Sequence, residues 1–311
     1  MPSSRRAVGA CAETTPARAT PRTIAVHSEF GALKAAIVHD AGNARSFTMD
    51  EQRRLIAPQM LFAHPETGPS SRDKLIAQHR ALRTLLADNG VALLAPQPQS
   101  AAAYQVFARD PAFAIGHTLF VASLRDPWRR DEIKGVAALR SQFGDVVDLA
   151  SPRAAIEGGD VMVLDGKVLV GLHHNTDEAG VRALEAARGM AEHEIVRVPH
   201  DALHLDCCVA PLPDGAALVA LAKLPESSFR LLQRVFDKLI PLHADEAALH
   251  LAANLLWLDA ARVVSNAAAV RTNALLRRRG FQVIELDYSE PVALWGGVRS
   301  AVCPLERSTT S

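Results

Sequence analysis

The sequence predicts an α/β fold whose repeated units are arranged radially, as a five-bladed α/β-propeller. Three observations lead there. Apolar strands alternate with amphipathic helices from residue 23 to residue 303 without a linker-like stretch. Hairpin signals recur inside each unit, and about five units follow one another at a period of roughly 50 residues. Residues 23–311 therefore read as a single α/β-propeller domain. Residues 1–22, MPSSRRAVGACAETTPARATPR, read as a disordered leader without the apolar stretch of a secretory signal. Their acid-poor, Arg-bearing composition also suggests a transit peptide, against which stand Glu13 and the missing amphipathic pattern.

Taken in order, Leu33 to His39 is a strand. Ser71 to Asn89 keeps Leu75, Ile76, His79, Leu82, Leu85 and Leu86 at helical spacing, Gly90 closes that helix, and Val91 to Ala95 is the next strand. Ala112 to Ile115 and Thr118 to Ala122 pair around Gly116-His117, followed by a helix from about Arg130 to Phe143 and a strand at Asp145 to Leu149. The same order recurs with Asp160 to Leu164, the turn Asp165-Gly166, Lys167 to Val170, a helix from Glu178 to Ala191 and a strand at Ile195 to Val198. Next come strands Cys207 to Leu212 and Ala216 to Leu221 around Pro213-Asp-Gly215, a helix from Glu226 to Leu239 and a strand near Ile240. The last unit has strands Leu255 to Leu258 and Arg262 to Val264, a helix from Ala267 to Arg279 closed by Gly280, and a strand Phe281 to Leu286. The N- and C-terminal pieces are left to complete one unit between them.

Hairpins inside each unit argue against a doubly wound nucleotide fold, which alternates single strands with helices. Gly158-Gly159 runs into Asp160 and a strand, not into a helix, so it is no phosphate loop. Lys+Arg and Asp+Glu balance at 34 each, which argues against nucleic-acid partners and leaves small molecules and further subunits, including a homo-oligomer. The cysteines Cys11, Cys207, Cys208 and Cys303 have neither metal-ligand spacing nor the pattern of a disulfide framework, so a reducing, cytoplasmic setting is expected. No apolar run approaches the roughly 20 residues that span a bilayer.

In a radial fold the turns at the ends of the inner strands face a shared axis, and three polar clusters occupy such turns. Phe107-Ala-Arg-Asp-Pro111 places Arg109 and Asp110 before a strand; taken alone, Asp110 is a turn residue and Arg109 its surface partner. Glu157-Gly-Gly-Asp160 sets two carboxylates around two glycines, again a turn when seen alone. His204-Leu-Asp206 opens a strand, where alternation would put His204 and Asp206 on one face as an acid/base pair. Near the C-terminus, Trp295-Gly-Gly-Val-Arg-Ser-Ala-Val-Cys-Pro-Leu305 carries two glycines that let backbone approach a ligand before polar side chains emerge.

These clusters, in this order, resemble the guanidine-modifying superfamily of amidinotransferases, arginine deiminases and dimethylarginine dimethylaminohydrolases over about residues 25 to 307. The resemblance implies the five-bladed propeller already suggested by the repeat. It implies that Asp110 and Asp206 grip a guanidinium, that Glu157 and His204 form the acid/base pair, that Asp160 supports them, that Arg129 holds a substrate carboxylate, and that residue 300 is the nucleophile. No metal or organic cofactor is implied. A planar, cationic guanidinium needs paired carboxylates to bind and to present its carbon to a nucleophile, and a histidine to protonate the departing amine and then activate water.

Two positions depart from the family pattern. Ser300 stands where the attacking thiolate belongs, and a hydroxyl ionises far above the value of about 8.5 of a cysteine thiol. The chain is thus expected to be nearly inactive, read first as a Cys-to-Ser form of an active enzyme and otherwise as a non-catalytic guanidine-binding relative. Cys303, three residues on, is a small buried apolar residue in this reading. Asn175 stands where hydrolases of free arginines often carry an Arg, which removes one clamp for a substrate carboxylate. The expected activity is hydrolysis of a guanidino compound through a thiouronium intermediate to a ureido product and ammonia or an amine; the alternative is transfer of the amidino group to an acceptor amine.

Overall fold

The computed structural model describes residues 21–42, 71–100 and 105–309, so the expected leader lies, apart from residues 21 and 22, outside the described residues. Strand β1 (Leu33–Ile37) precedes helix α1 (Arg72–Asp88), which starts where the Ser71 side chain accepts the Lys74 amide and buries Leu75, Ile76, His79, Leu82 and Leu86. Strand β2 (Ala92–Leu94) then lies parallel to β1.

The next unit has β3 (Ala112–Ile115) and β4 (Thr118–Val121) antiparallel, with Phe113 opposite Phe120 and their rings stacked 5.4 Å apart. Both strands are buried along their whole length, which is why they read as continuous apolar runs. Helix α2 (Asp131–Ala137) crosses over to β5 (Val146–Asp148), parallel to β4. The pattern repeats with β6 (Val161–Leu164), β7 (Lys167–Leu172), α3 (Glu178–Glu185) and β8 (Glu194–Pro199). It repeats again with β9 (Val209–Pro211), β10 (Ala216–Val219), α4 (Glu226–Leu232) and β11 (Lys238–Pro241). After helix α5 (Ala244–His250) come β12 (Leu256–Trp257), β13 (Arg262–Asn266), α6 (Val270–Arg278) and β14 (Gln282–Leu286). Helix α7 (Ser289–Ala293) leads to β15 (Cys303–Arg307), which pairs antiparallel with β1 from Leu33↔Arg307 to Ile37↔Cys303.

The described residues thus form an α/β fold of five three-stranded sheets, and in each the central strand has one antiparallel and one parallel neighbour. The sheet made from both ends of the chain is the unit that the sequence left incomplete. Apolar side chains of neighbouring sheets merge: Ile37 and Cys303 of the first sheet share one buried cluster with Phe113, Phe120, Val161 and Val170 of the next two. Among the described residues no helix is long and apolar enough to cross a membrane.

Several element ends differ from the pattern-based expectation. The helix expected over 130–143 is α2 flanked by 3-10 turns at Pro127–Arg129 and Arg140–Gln142, with the poor helix former Gly135 inside it. The helix expected from Glu178 to Ala191 stops at Glu185, short of Gly189, whose φ of +86° no helix accommodates. Helix α4 ends at Leu232 rather than Leu239 because Lys238 to Pro241 must extend to pair with β10. Helix α6 begins at Val270 rather than Ala267, after the Asn266 side chain accepts the Ala268 amide in a turn.

Candidate active site

Two short 3-10 turns, Gly158–Asp160 and Leu205–Cys207, carry the central groups on the extended residues that precede them, Glu157 and His204. This corrects the expectation that His204 and Asp206 alternate along one strand: a turn, not a pleat, aims them. The turns are tied together by Asp160 Oδ1, which accepts the Leu205 amide at 2.8 Å and lies 2.9 Å from His200 Nε2. Gly159 is where they touch, since a Cβ there would fall 2.6 Å from His204 Nδ1. The imidazole can lie against the Glu157 turn only because that position has no side chain.

His204 Nε2 lies 2.9 Å from Glu157 Oε2, and its Nδ1 lies 3.7 Å from Asp110 Oδ1. Glu157 Oε1 accepts the Arg125 amide at 3.1 Å, which leaves Oε2 directed at the imidazole. Burial alone would depress the His204 pKa, but Asp110, the hydrogen bond to Glu157, and Asp160 outweigh it and raise it to about 10. The imidazole therefore rests as a cation at neutral pH.

Asp110 is 2% exposed; its Oδ2 accepts from Arg129 Nη1 at 3.0 Å, while Oδ1 is buried without a hydrogen-bond partner. An acceptor left in that state is costly until a donor arrives. Arg129 also donates from Nε and Nη2 to both oxygens of Glu132 at 2.9 Å, so the arginine expected to face a substrate carboxylate is turned to internal acids. Asp206 is fully buried, and its Oδ2 accepts from Arg299 Nη1 at 2.8 Å. Arg299 Nη2 donates to Glu29 Oε1 at 3.0 Å and to the Val161 carbonyl at 2.9 Å. Arg109, read alone as a surface residue, is 3% exposed.

Ser300 joins this group through the backbone, its carbonyl accepting the Arg109 amide at 3.0 Å next to Asp110. Its hydroxyl accepts from Asn254 Nδ2 at 3.0 Å, and Asn254 Oδ1 accepts the amides of Arg299 at 2.8 Å and Ser300 at 3.1 Å. A Cβ on Gly297 would come within 2.5 Å of that Oδ1, so the second loop glycine is what admits the Asn254 clamp. Cys303 instead lies within β15, fully buried, its thiol pushed up to about 12 by burial. Asn175 donates to the Leu203 carbonyl at 3.4 Å and lies 3.5 Å from His204 Nε2, on the side of the ring that faces Glu157.

The structure therefore gathers Asp110, Glu157, Asp160, His204 and Arg129 into one buried network and links Asp206 to Ser300 through Arg299. One donor atom each of Asp110, Glu157 and His204 lie within 4.8 Å of one another, so any further cation held there must share carboxylates with Arg129. Sequence reasoning did not assign roles to Glu29, Glu132, His200, Asn254 or Arg299. Arg299 lies inside the motif already singled out, and Asn254 is a lone amide in an apolar stretch before a strand; both were readable signals.

The arginine deiminase family profile matches residues 67–222. The chain is 31% identical over 235 residues to the uncharacterized Bacillus subtilis protein YkgA, covering 74% of this chain and 79% of that protein. It is 25% identical to a dimethylarginine dimethylaminohydrolase of Streptomyces coelicolor, covering 76% of this chain and 88% of the relative. Among solved structures, an amidinotransferase of saxitoxin biosynthesis from Microseira wollei superposes with a TM-score of 0.75 at 17% identity, covering 92% of this chain and 98% of that one.

Proposed function

Because the chain belongs to the arginine deiminase family within the guanidine-modifying superfamily, we propose that its buried network binds the guanidinium of a small molecule and is equipped for guanidine hydrolysis. The observation that carries this reading is the buried Asp110 Oδ1, which accepts no hydrogen bond and lies 3.7 Å from the imidazole of a His204 held by Glu157. A guanidinium N–H satisfies that oxygen, and Asp206 Oδ1 offers a second acceptor. We read the five sheets as five propeller blades of one domain around this site.

With a thiolate at position 300, attack on the guanidinium carbon forms a C–S bond, and the departing amine takes the His204 proton. The neutral imidazole then accepts a proton from water, whose oxygen attacks the thiouronium carbon; the C–S bond breaks to regenerate the thiolate, and the remaining hydroxyl proton passes to the released amine or to solvent as the neutral ureido product forms. The elevated His204 pKa suits the first step, where the histidine must arrive protonated. Ser300 lacks an accessible anion, so this chain binds guanidines and turns them over very slowly. An acceptor amine in place of water converts the same intermediate into an amidino-transfer product.

Intact-mass measurement on the Ser300→Cys protein, incubated with a guanidine panel and quenched in acid, tests this. An adduct on residue 300 and a ureido product are expected, with Cys303→Ala making no difference. Adding His204→Ala to the Ser300→Cys protein is expected to lower turnover by about 10²–10⁴-fold while leaving the fold intact. An adduct mapped to Cys303, or full turnover without His204, overturns the assignment.

A further inference from the structure

A cavity of about 300 Å³ borders the site on three of its segments, and no step above uses it. Its walls include Leu203, which precedes His204, and Cys207, which follows Asp206. The Cys207 thiol donates to Asp206 Oδ1 at 3.5 Å, so that single side chain both lines the cavity and touches the site. Trp295, the residue before Gly296-Gly297, forms another part of the wall. Its φ of +67° is a left-handed conformation that a bulky side chain rarely adopts, and such strain is held where the surroundings fix it, commonly at ligand sites.

The rest of the lining is largely alanine and leucine, with one cation, Lys223. Among the described residues no carboxylate forms an ion pair with its ammonium. Arg129, by contrast, is committed to Glu132 and Asp110 and offers no free fork to an amino-acid carboxylate. The charge pattern around the guanidinium site thus favours a ligand that continues as an apolar chain toward a terminal anion. An α-ammonium on that chain would lose its water against apolar walls.

We propose that the guanidino ligand of this protein carries an apolar chain that lies in this cavity and ends in a carboxylate at Lys223, an ω-guanidino fatty acid in class. This rests on the guanidine reading of the site and adds the identity of the ligand's other end. Each methylene buried in the cavity should tighten binding about fourfold, and the carboxylate at Lys223 about tenfold.

Calorimetry on the full Ser300 chain with methylguanidine, butylguanidine, hexylguanidine, 6-guanidinohexanoate and arginine tests it. Affinity is expected to climb along the alkyl series, and 6-guanidinohexanoate to bind at least tenfold more tightly than arginine. Ala248→Phe, which fills the cavity, should flatten the series while leaving methylguanidine unchanged, and Lys223→Ala should remove only the carboxylate's share. If Ala248→Phe does not fold, Ala222→Trp at an exposed lining position replaces it. Methylguanidine binding with no gain along the series, arginine binding as tightly as 6-guanidinohexanoate, or a series indifferent to the filled cavity overturns the inference and leaves the guanidine reading standing. No binding by any guanidine, methylguanidine included, removes both.

Discussion

A fully buried carboxylate needs a cation, and Asp206 has an internal one in Arg299 Nη1 at 2.8 Å. On the guanidine reading proposed above it has two tasks, holding Arg299 and offering Oδ1, which takes only the Cys207 thiol at 3.5 Å, to a ligand. Asp206→Asn should show both losses. Because Glu29 still faces Arg299, stability should fall by about 3 kcal/mol, the low end for breaking a buried pair. Guanidine affinity should fall about tenfold, the scale of one charge-assisted hydrogen bond. Denaturant unfolding and calorimetry read the two separately, and a variant with unchanged stability and affinity would take Asp206 out of both roles. The seven side chains singled out from the sequence are all buried, between 0% and 6% exposed, and that much was legible because turn residues such as Glu157-Gly-Gly-Asp160 combine charge with apolar flanks. Their ion partners were not. Arg299 meets Asp206 across 93 positions, and no local pattern encodes a contact of that range.

At the scale of elements, the loop bearing Ser300 is held less by its own sequence than by one amide on the segment before β12. Asn254 Oδ1 takes two backbone N–H groups and its Nδ2 donates to the Ser300 hydroxyl, all in a buried setting. Asn254→Ala leaves two buried amides without acceptors, at roughly 1–3 kcal/mol each. A lowered melting temperature and a lower adduct-forming rate in the Ser300→Cys background are expected. If the rate holds while stability falls, Asn254 is a structural clamp and nothing more. Hairpins such as Asp165-Gly166 were readable because a two-residue turn is local chemistry. Helix ends were less so: α4 stops where β11 must pair with β10, a tertiary demand that overrides helical spacing. Helices α5 and α7, of seven and five residues, are too short to show a period and were missed.

For the molecule as a whole, buried titratable groups far apart in the fold set how stability varies with pH. His79 Nε2 donates to the His39 carbonyl at 2.9 Å, so in its neutral form Nδ1, 2.8 Å away, accepts from the Tyr288 hydroxyl. Burial, opposed by the bond to His39 and reinforced by Arg83, lowers the His79 pKa to about 4; burial and the nearby His79, Arg129 and Arg83 lower that of His39 to about 3. Between these values and the ordinary 6.5, the unfolded chain binds protons that the native one refuses, so stability falls with falling pH. The slope is about 1.4 kcal/mol per pH unit for each histidine. His204 has the opposite sign: raised to about 10, it contributes stability that is complete below 6.5 and lost as pH rises toward 10. Stability should therefore peak near pH 6.5 and fall on both sides. Glu132, pushed up to about 7 by burial, runs against the two histidines between pH 7 and 4.5 and takes back about half of their combined slope there, so the acid limb steepens below pH 4.5. Denaturant midpoints measured from pH 4 to pH 10 should trace this dome. His79→Gln should flatten the acid limb by about one proton and leave the alkaline limb alone, while His204→Ala should do the reverse; an acid limb equally steep without His79 would show that its burial does not govern the transition.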